Sequence, residues 1–267
     1  MVARTVETMA GRPQRETCEV IVRAAILTGL LLLPPTYAAA QAAAPPPPPP
    51  RQEGTAEFAF VGTSGNASTS AFSLSGEHVV RPPKWMIRNK ALFIRNSSEG
   101  DLTAESFLYM LRGERAINAR LSGFGEYAYF RDRFAGVDSR NSVAGGLMIK
   151  LVSTAAHALS VDGSLGYLNE QRLAGDDVSS ATYGFGSLYK WTISPTATLD
   201  EEARFVGTFD IAEDWRFVNA VSVTAKLTQV LSLKVSNLVR YSNFPPVGFK
   251  STDTTTSVAL VAKFSRQ

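Results

Sequence analysis

From Gly54 to Phe264 the apolar residues recur at every second position, and no stretch holds a helical period. The run "VAGGLMIKL" places Val143, Gly145, Leu147, Ile149 and Leu151 on one face and Ser142, Ala144, Gly146, Met148 and Lys150 on the other. In "TLDEEARFVGTF", Leu199, Ala203, Phe205 and Phe209 oppose Asp200, Glu202, Arg204 and Thr208. "WRFVNAVSVTAKL" and "TTTSVALVAKF" repeat the pattern. Such alternation belongs to strands whose two faces meet different surroundings. The runs predict about twelve strands (alternative about ten) of roughly ten to fourteen residues, long for soluble strands and suited to tilted membrane-spanning ones. Predicted starts lie near Thr55, Ser68, Trp85, Thr103, Asn118, Asn141, Ala158, Val178, Thr198, Trp215, Leu231 and Ser251.

The connections sharpen this reading. Tight turns at "RPPK", "RGERA", "STAAH", "ISPTA" and "TQV" alternate with longer polar segments: "TSGNAS", "NSSEGDL", "RDRFAGVDSR", "NEQRLAGDDVSS", "DIAEDW" and "NFPPVGFK". Short turns on one rim and longer loops on the other predict a closed antiparallel transmembrane β-barrel, with periplasmic turns and extracellular loops. Closure follows from the solvent: an unpaired backbone group in hydrocarbon costs several kcal/mol, so a membrane sheet cannot keep an edge. Tyr127, Tyr129, Tyr167, Tyr183, Tyr189, Trp191, Trp215 and Tyr241 fall near strand ends, where aromatic girdles are expected.

The front of the chain reads differently. Arg4, Arg12, Arg15 and Arg23 precede the apolar run "AAILTGLLLL", and small residues follow at Ala38 and Ala40. That pattern predicts a secretory signal peptide over 1–40. An Ala/Pro-rich linker follows over 41–53, then the barrel over 54–264 and a short polar tail over 265–267. The single cysteine, Cys18, lies in the leader, so the exported part is expected to carry no thiol chemistry. With a net charge of +3, nucleic acid is not an expected partner.

The stretches "GTSGNAST", "YFRDRFAGVDSR" and "SNFPPVGFKSTDTTTSVALVAKF" resemble the salt-induced outer membrane protein family, also known as domain of unknown function 481. The resemblance covers most of Phe58 to Phe264, and Pro245, Pro246, Lys250, Thr252, Asp253, Thr254 and Thr255 are its most specific part. It implies a β-barrel in the outer membrane of Gram-negative bacteria, with salt or osmotic stress as the implied context. Barrels of that kind meet the barrel assembly machinery during biogenesis, and many end on an aromatic; here Phe264 is followed by Ser265, Arg266 and Gln267.

Candidate chemistry is sparse. The chain has two histidines, His78 and His157, both at predicted periplasmic turns. Neither has a third group in the sequence to orient it as a triad would need. No cofactor or metal is expected; the doublet Asp176 and Asp177 is read as loop polarity. Charges carry more information. If apolar faces meet lipid, the lumen receives Arg120, Glu126, Lys150, Asp162, Lys190, Asp200, Glu202, Arg204, Arg216, Lys226, Lys234, Arg240, Asp253 and Lys263. Arg131, Asp132, Arg133, Asp138 and Arg140 are expected at the extracellular rim, in reach of outer-membrane lipid and lipopolysaccharide phosphates. Three functions compete: a structural or small-solute barrel, a surface-binding barrel, and a lipid-modifying enzyme. The last would draw on Asp132, Ser139 and Arg140.

Overall fold

The computed structural model describes residues 49–63 and 69–266; the expected leader and most of the linker lie outside the described residues. Twelve strands form a closed antiparallel barrel. They are β1 Gln52–Thr63, β2 Thr69–Val80, β3 Trp85–Ser98, β4 Asp101–Ala116, β5 Leu121–Asp132 and β6 Val137–Ser153. The others are β7 His157–Arg172, β8 Val178–Ser194, β9 Ala197–Thr208, β10 Trp215–Lys226, β11 Leu231–Ser242 and β12 Thr252–Arg266. Every strand pairs with its chain neighbours, and β12 closes on β1 from Gln52↔Arg266 to Phe58↔Leu260. Both ends of the sheet therefore share one rim, the terminal rim; the opposite one is the distal rim.

The alternation resolves into an inside-out burial pattern. On β6, Val143 and Leu147 are each 53% exposed, while Met148 on the opposite, inner face is 4% exposed. Phe185 and Leu165 likewise face outward, whereas Arg112 and Asp162 are buried. Lipid is the solvent that rewards this arrangement, because a charge on the outer face at mid-depth costs about 2–4 kcal/mol. Aromatic pairs mark both ends of the outer wall. Phe205, Trp215 and Tyr241 stack in sequence near the distal rim, and His157 lies between Tyr189 and Trp191 near the terminal rim. His157 Nδ1 is 2.8 Å from the Tyr189 hydroxyl, so this imidazole is a girdle member.

Several boundaries differ from the sequence reading: most strands run further than expected, whereas β5 starts at Leu121 and not near Asn118. "RGERA" is the end of β4, and the turn is 117–120 instead. "NSSEGDL" is mostly strand, closed by a two-residue turn at Glu99 and Gly100 with φ of 52° and 92°. β6 begins at Val137 and β7 reaches Arg172, which shortens two predicted loops. β1 starts at Gln52 and β12 continues through Ser265 and Arg266. Lumen-facing charges at strand ends have the same hydropathy as loop charges, and this is what moved the boundaries.

Candidate functional site

The lumen is crossed by charge pairs. Lys90 on β3 donates from Nζ to Glu202 Oε2 on β9 at 3.1 Å. Those two strands have five others between them on either side of the ring, so the bond runs wall to wall. Arg112 on β4 meets three carboxylates: Glu114 at 2.8 Å, Glu126 at 3.1 Å and Asp162 at 3.8 Å. Its guanidinium also lies 3.6 Å above the Phe124 ring centroid, a cation–π contact. Arg204 reaches Glu126 and Asp162 from β9 at 3.7 and 3.9 Å. Lys234 on β11 bonds Glu57 on β1 at 2.9 Å, and Lys190 bonds Asp200 at 3.2 Å nearer the terminal rim.

A second cluster closes the distal end. Glu170, with 0% exposure, accepts from Arg140 at 2.5 Å, Arg172 at 2.7 Å and Arg216 at 3.2 Å. Asp214 is equally buried and lies 3.0 Å from Arg216. Burial pushes the Asp214 carboxyl up; Arg216 pulls it down by less, and the Glu170 carboxylate adds to the rise. Arg240 sits over the Phe130 ring, 5.4 Å from its centroid, while Asp253 is exposed on β12 at its register partner.

Over this cluster lies the β11–β12 loop, 243–251. Arg172 Nη2 donates to the Phe244 carbonyl at 3.2 Å and stacks on its ring. The loop reaches the β5–β6 connection, which has four strands between it and β11–β12 on each side. There Gly136, with φ of 78°, lets it approach: a Cβ at 136 would sit 2.6 Å from Phe249 and 2.8 Å from Pro246. The loop thus spans the distal mouth. Gly136→Val would add a left-handed backbone cost of about 1–3 kcal/mol to that collision. Limited proteolysis should then cut 243–251 markedly faster than in the wild type; unchanged cutting would mean the loop is held by other contacts.

Sequence-predicted residues divide accordingly. Glu126, Asp162, Lys190, Asp200, Glu202, Arg204, Arg216, Lys234, Arg240, Asp253 and Lys263 lie on the inward-facing register of their strands. Arg120 does not: it is exposed in the β4–β5 turn. Lys150 and Lys226 are exposed at the terminal rim, with Lys226 Nζ donating to the Pro195 carbonyl. Of the expected rim residues, Arg131 and Asp138 form a loose exposed pair at 3.8 Å and Arg133 is exposed. Asp132 and Arg140 turn inward: Asp132 Oδ1 accepts from the backbone N–H groups of Phe134 and Ala135, and Arg140 serves Glu170. Ser139 Oγ donates to Gln171, so Asp132, Ser139 and Arg140 keep separate partners. Asp177 is likewise engaged, accepting from the Arg172 N–H at 2.9 Å.

Lys90, Arg112, Glu114, Glu170, Arg172 and Asp214 were missed. Arg112, Glu114, Glu170 and Arg172 stand in segments read as turn or loop, and the signal that could have placed them is their even spacing in phase with the strand.

The family model described as "Protein of unknown function, DUF481" matches residues 56–264. The chain belongs to that family. Comparison with curated proteins gives no match. Among solved structures, this DUF481 barrel is similar to an outer membrane channel from Pseudomonas putida F1, with a TM-score of 0.47 and 12% identity over 85% of this chain and 100% of the other. It is also similar to the NanC porin, with a TM-score of 0.45 and 10% identity over 81% and 99%. The translocator domain of the autotransporter NalP from Neisseria meningitidis gives 0.44 and 11% over 93% and 95%. These likenesses are to outer-membrane barrels, at the level of the barrel alone.

Proposed function

We propose that this DUF481 barrel is a non-enzymatic outer-membrane protein whose narrow lumen passes only small ions and solutes and is shut at its extracellular, distal end at rest. The observation that carries the reading is a contrast along the lumen. Midway, the Lys90 and Glu202 side chains each keep 31% of their exposure, so solvent reaches the strut. At the distal end Glu170 and Asp214 keep none, and the β11–β12 loop lies above them. A polar lumen with one tight end fits a gated narrow path better than an open pore. The apolar outer wall and its two aromatic ends support the membrane assignment, and the expected leader supports export. The outward, exposed Phe264 near the last strand's end offers the assembly machinery an aromatic to read.

Purified protein in planar bilayers should give small, infrequent conductance steps and show heat-modifiable gel migration. Large permanently open steps would sink the closed-end reading; no steps in any salt or voltage would leave a purely structural barrel. The salt or osmotic context implied by the family resemblance belongs to the same proposal. Its check is whether open probability changes as KCl is raised.

A second reading, contact with lipopolysaccharide, has one supporting observation. Arg95 and Arg131 project outward near Phe93, Phe107 and Tyr129 at the distal end of the wall, the latter two rings 6.1 Å apart. Cations beside interfacial rings suit phosphate headgroups.

A further inference from the structure

The Arg216 guanidinium is unusual among the lumen charges. It is 8% exposed, and its Nη2 serves both Glu170 and Asp214. Its Nε and Nη1 are buried without an acceptor among the described residues. Buried charged donors left unpaired are costly, so two on one side chain point to an acceptor that the described residues do not supply. Among the described residues, the Arg140, Arg172 and Arg216 side chains form ion pairs only with Glu170 and Asp214, three cations to two carboxylates. Arg140, which shares Glu170 with Arg216, keeps 21% of its side-chain exposure, so the edge of the cluster meets solvent. The root of the mouth-spanning loop adjoins the site, since Ser242 is the register partner of Arg216 and Asn243 N–H donates to the Trp215 carbonyl.

We propose that Arg216, with Arg140 and Arg172 beside it, is a binding site for a small soluble oxyanion entering from the distal mouth. An oxyanion accepts at several oxygens, so one ligand can take both free donors and offset the surplus charge. Phosphate, sulfate and carboxylate share that chemistry. The site does not require the lumen to conduct, so it stands or falls apart from the channel reading.

The test is calorimetric titration of inorganic phosphate into the folded full chain in detergent, at constant ionic strength so that general screening is held fixed. Saturable binding of one phosphate per barrel is expected. Arg216→Lys keeps the charge and loses the guanidinium donors, and should weaken binding by about tenfold or more. Arg140→Gln, at a partly exposed position, should weaken it too, which guards against a folding failure of the first variant. Lys190→Gln near the terminal rim should bind as the wild type does, and heat-modifiable migration verifies folding of each. Absence of saturable binding in the wild type would overturn the site. So would wild-type affinity in folded Arg216→Lys and Arg140→Gln. Competition by lipopolysaccharide in nanodiscs would overturn the soluble-ligand assignment and give the phosphate to a lipid headgroup.

Discussion

Replacing Glu170 by Ala is expected to lower the unfolding free energy by about 3–5 kcal/mol, the cost of leaving buried charge uncompensated. Among the described residues Glu170 is the one carboxylate in ion-pair contact with both Arg140 and Arg172, and it also holds Arg216. Its removal leaves three guanidiniums close together with Asp214 alone to offset them, and two of the three are almost wholly buried. Urea unfolding of the refolded barrel measures the loss. Asp138→Ala is the comparison: its pair with Arg131 has both partners more than 40% exposed, and an exposed pair contributes roughly 0–1 kcal/mol. Similar losses in the two variants would mean that the distal cluster does not hold the barrel together. A rise in conductance alongside the loss of stability would place the resting closure at the same cluster.

The largest effect on conductance should come from the Lys90→Ala and Glu202→Ala double variant. The pair is the one ion pair described here between diametrically opposed strands, and it lies midway along the barrel, so deleting both side chains clears a path across the middle of the lumen. Stability should change little, because removing both members of an ion pair leaves no orphaned charge. Glu202→Ala alone should behave differently: it strands the Lys90 ammonium and should destabilise the barrel more than the double change. Unit conductance several-fold above the wild type is expected if the strut limits flow. If the double variant conducts as the wild type does, the strut is a brace and the limiting constriction lies at the distal cluster.

These two expectations involve residues that the sequence treats very unequally. Glu202, Arg204 and Asp162 were legible as lumen-facing, because each stands in a run whose alternate positions are plainly apolar. Glu170, Arg112 and Glu114 were not. They occupy "NEQR" and "RGERA", where several polar residues follow one another and the apolar phase fades. Water at the rim and water in the lumen select the same residue types, so composition cannot tell a strand end from a loop. Arg140 shows the reverse error, since a residue assigned to the rim turned out to reach inward to Glu170.

The sequence by itself determined that the chain forms long two-faced strands, about twelve in number, and that their apolar faces turn outward. Period-two alternation is local, and backbone satisfaction in lipid then leaves closure as the only outcome. Only the tertiary structure decided which charges meet. Lys90 and Glu202 are 112 positions apart and become partners because ring closure sets their strands opposite each other at the same height. Pro246 and Phe249 cover the distal mouth because a glycine with left-handed backbone waits on the far wall. Register and closure are properties of the whole sheet, and no local pattern in one strand records what its side chains will face across the lumen.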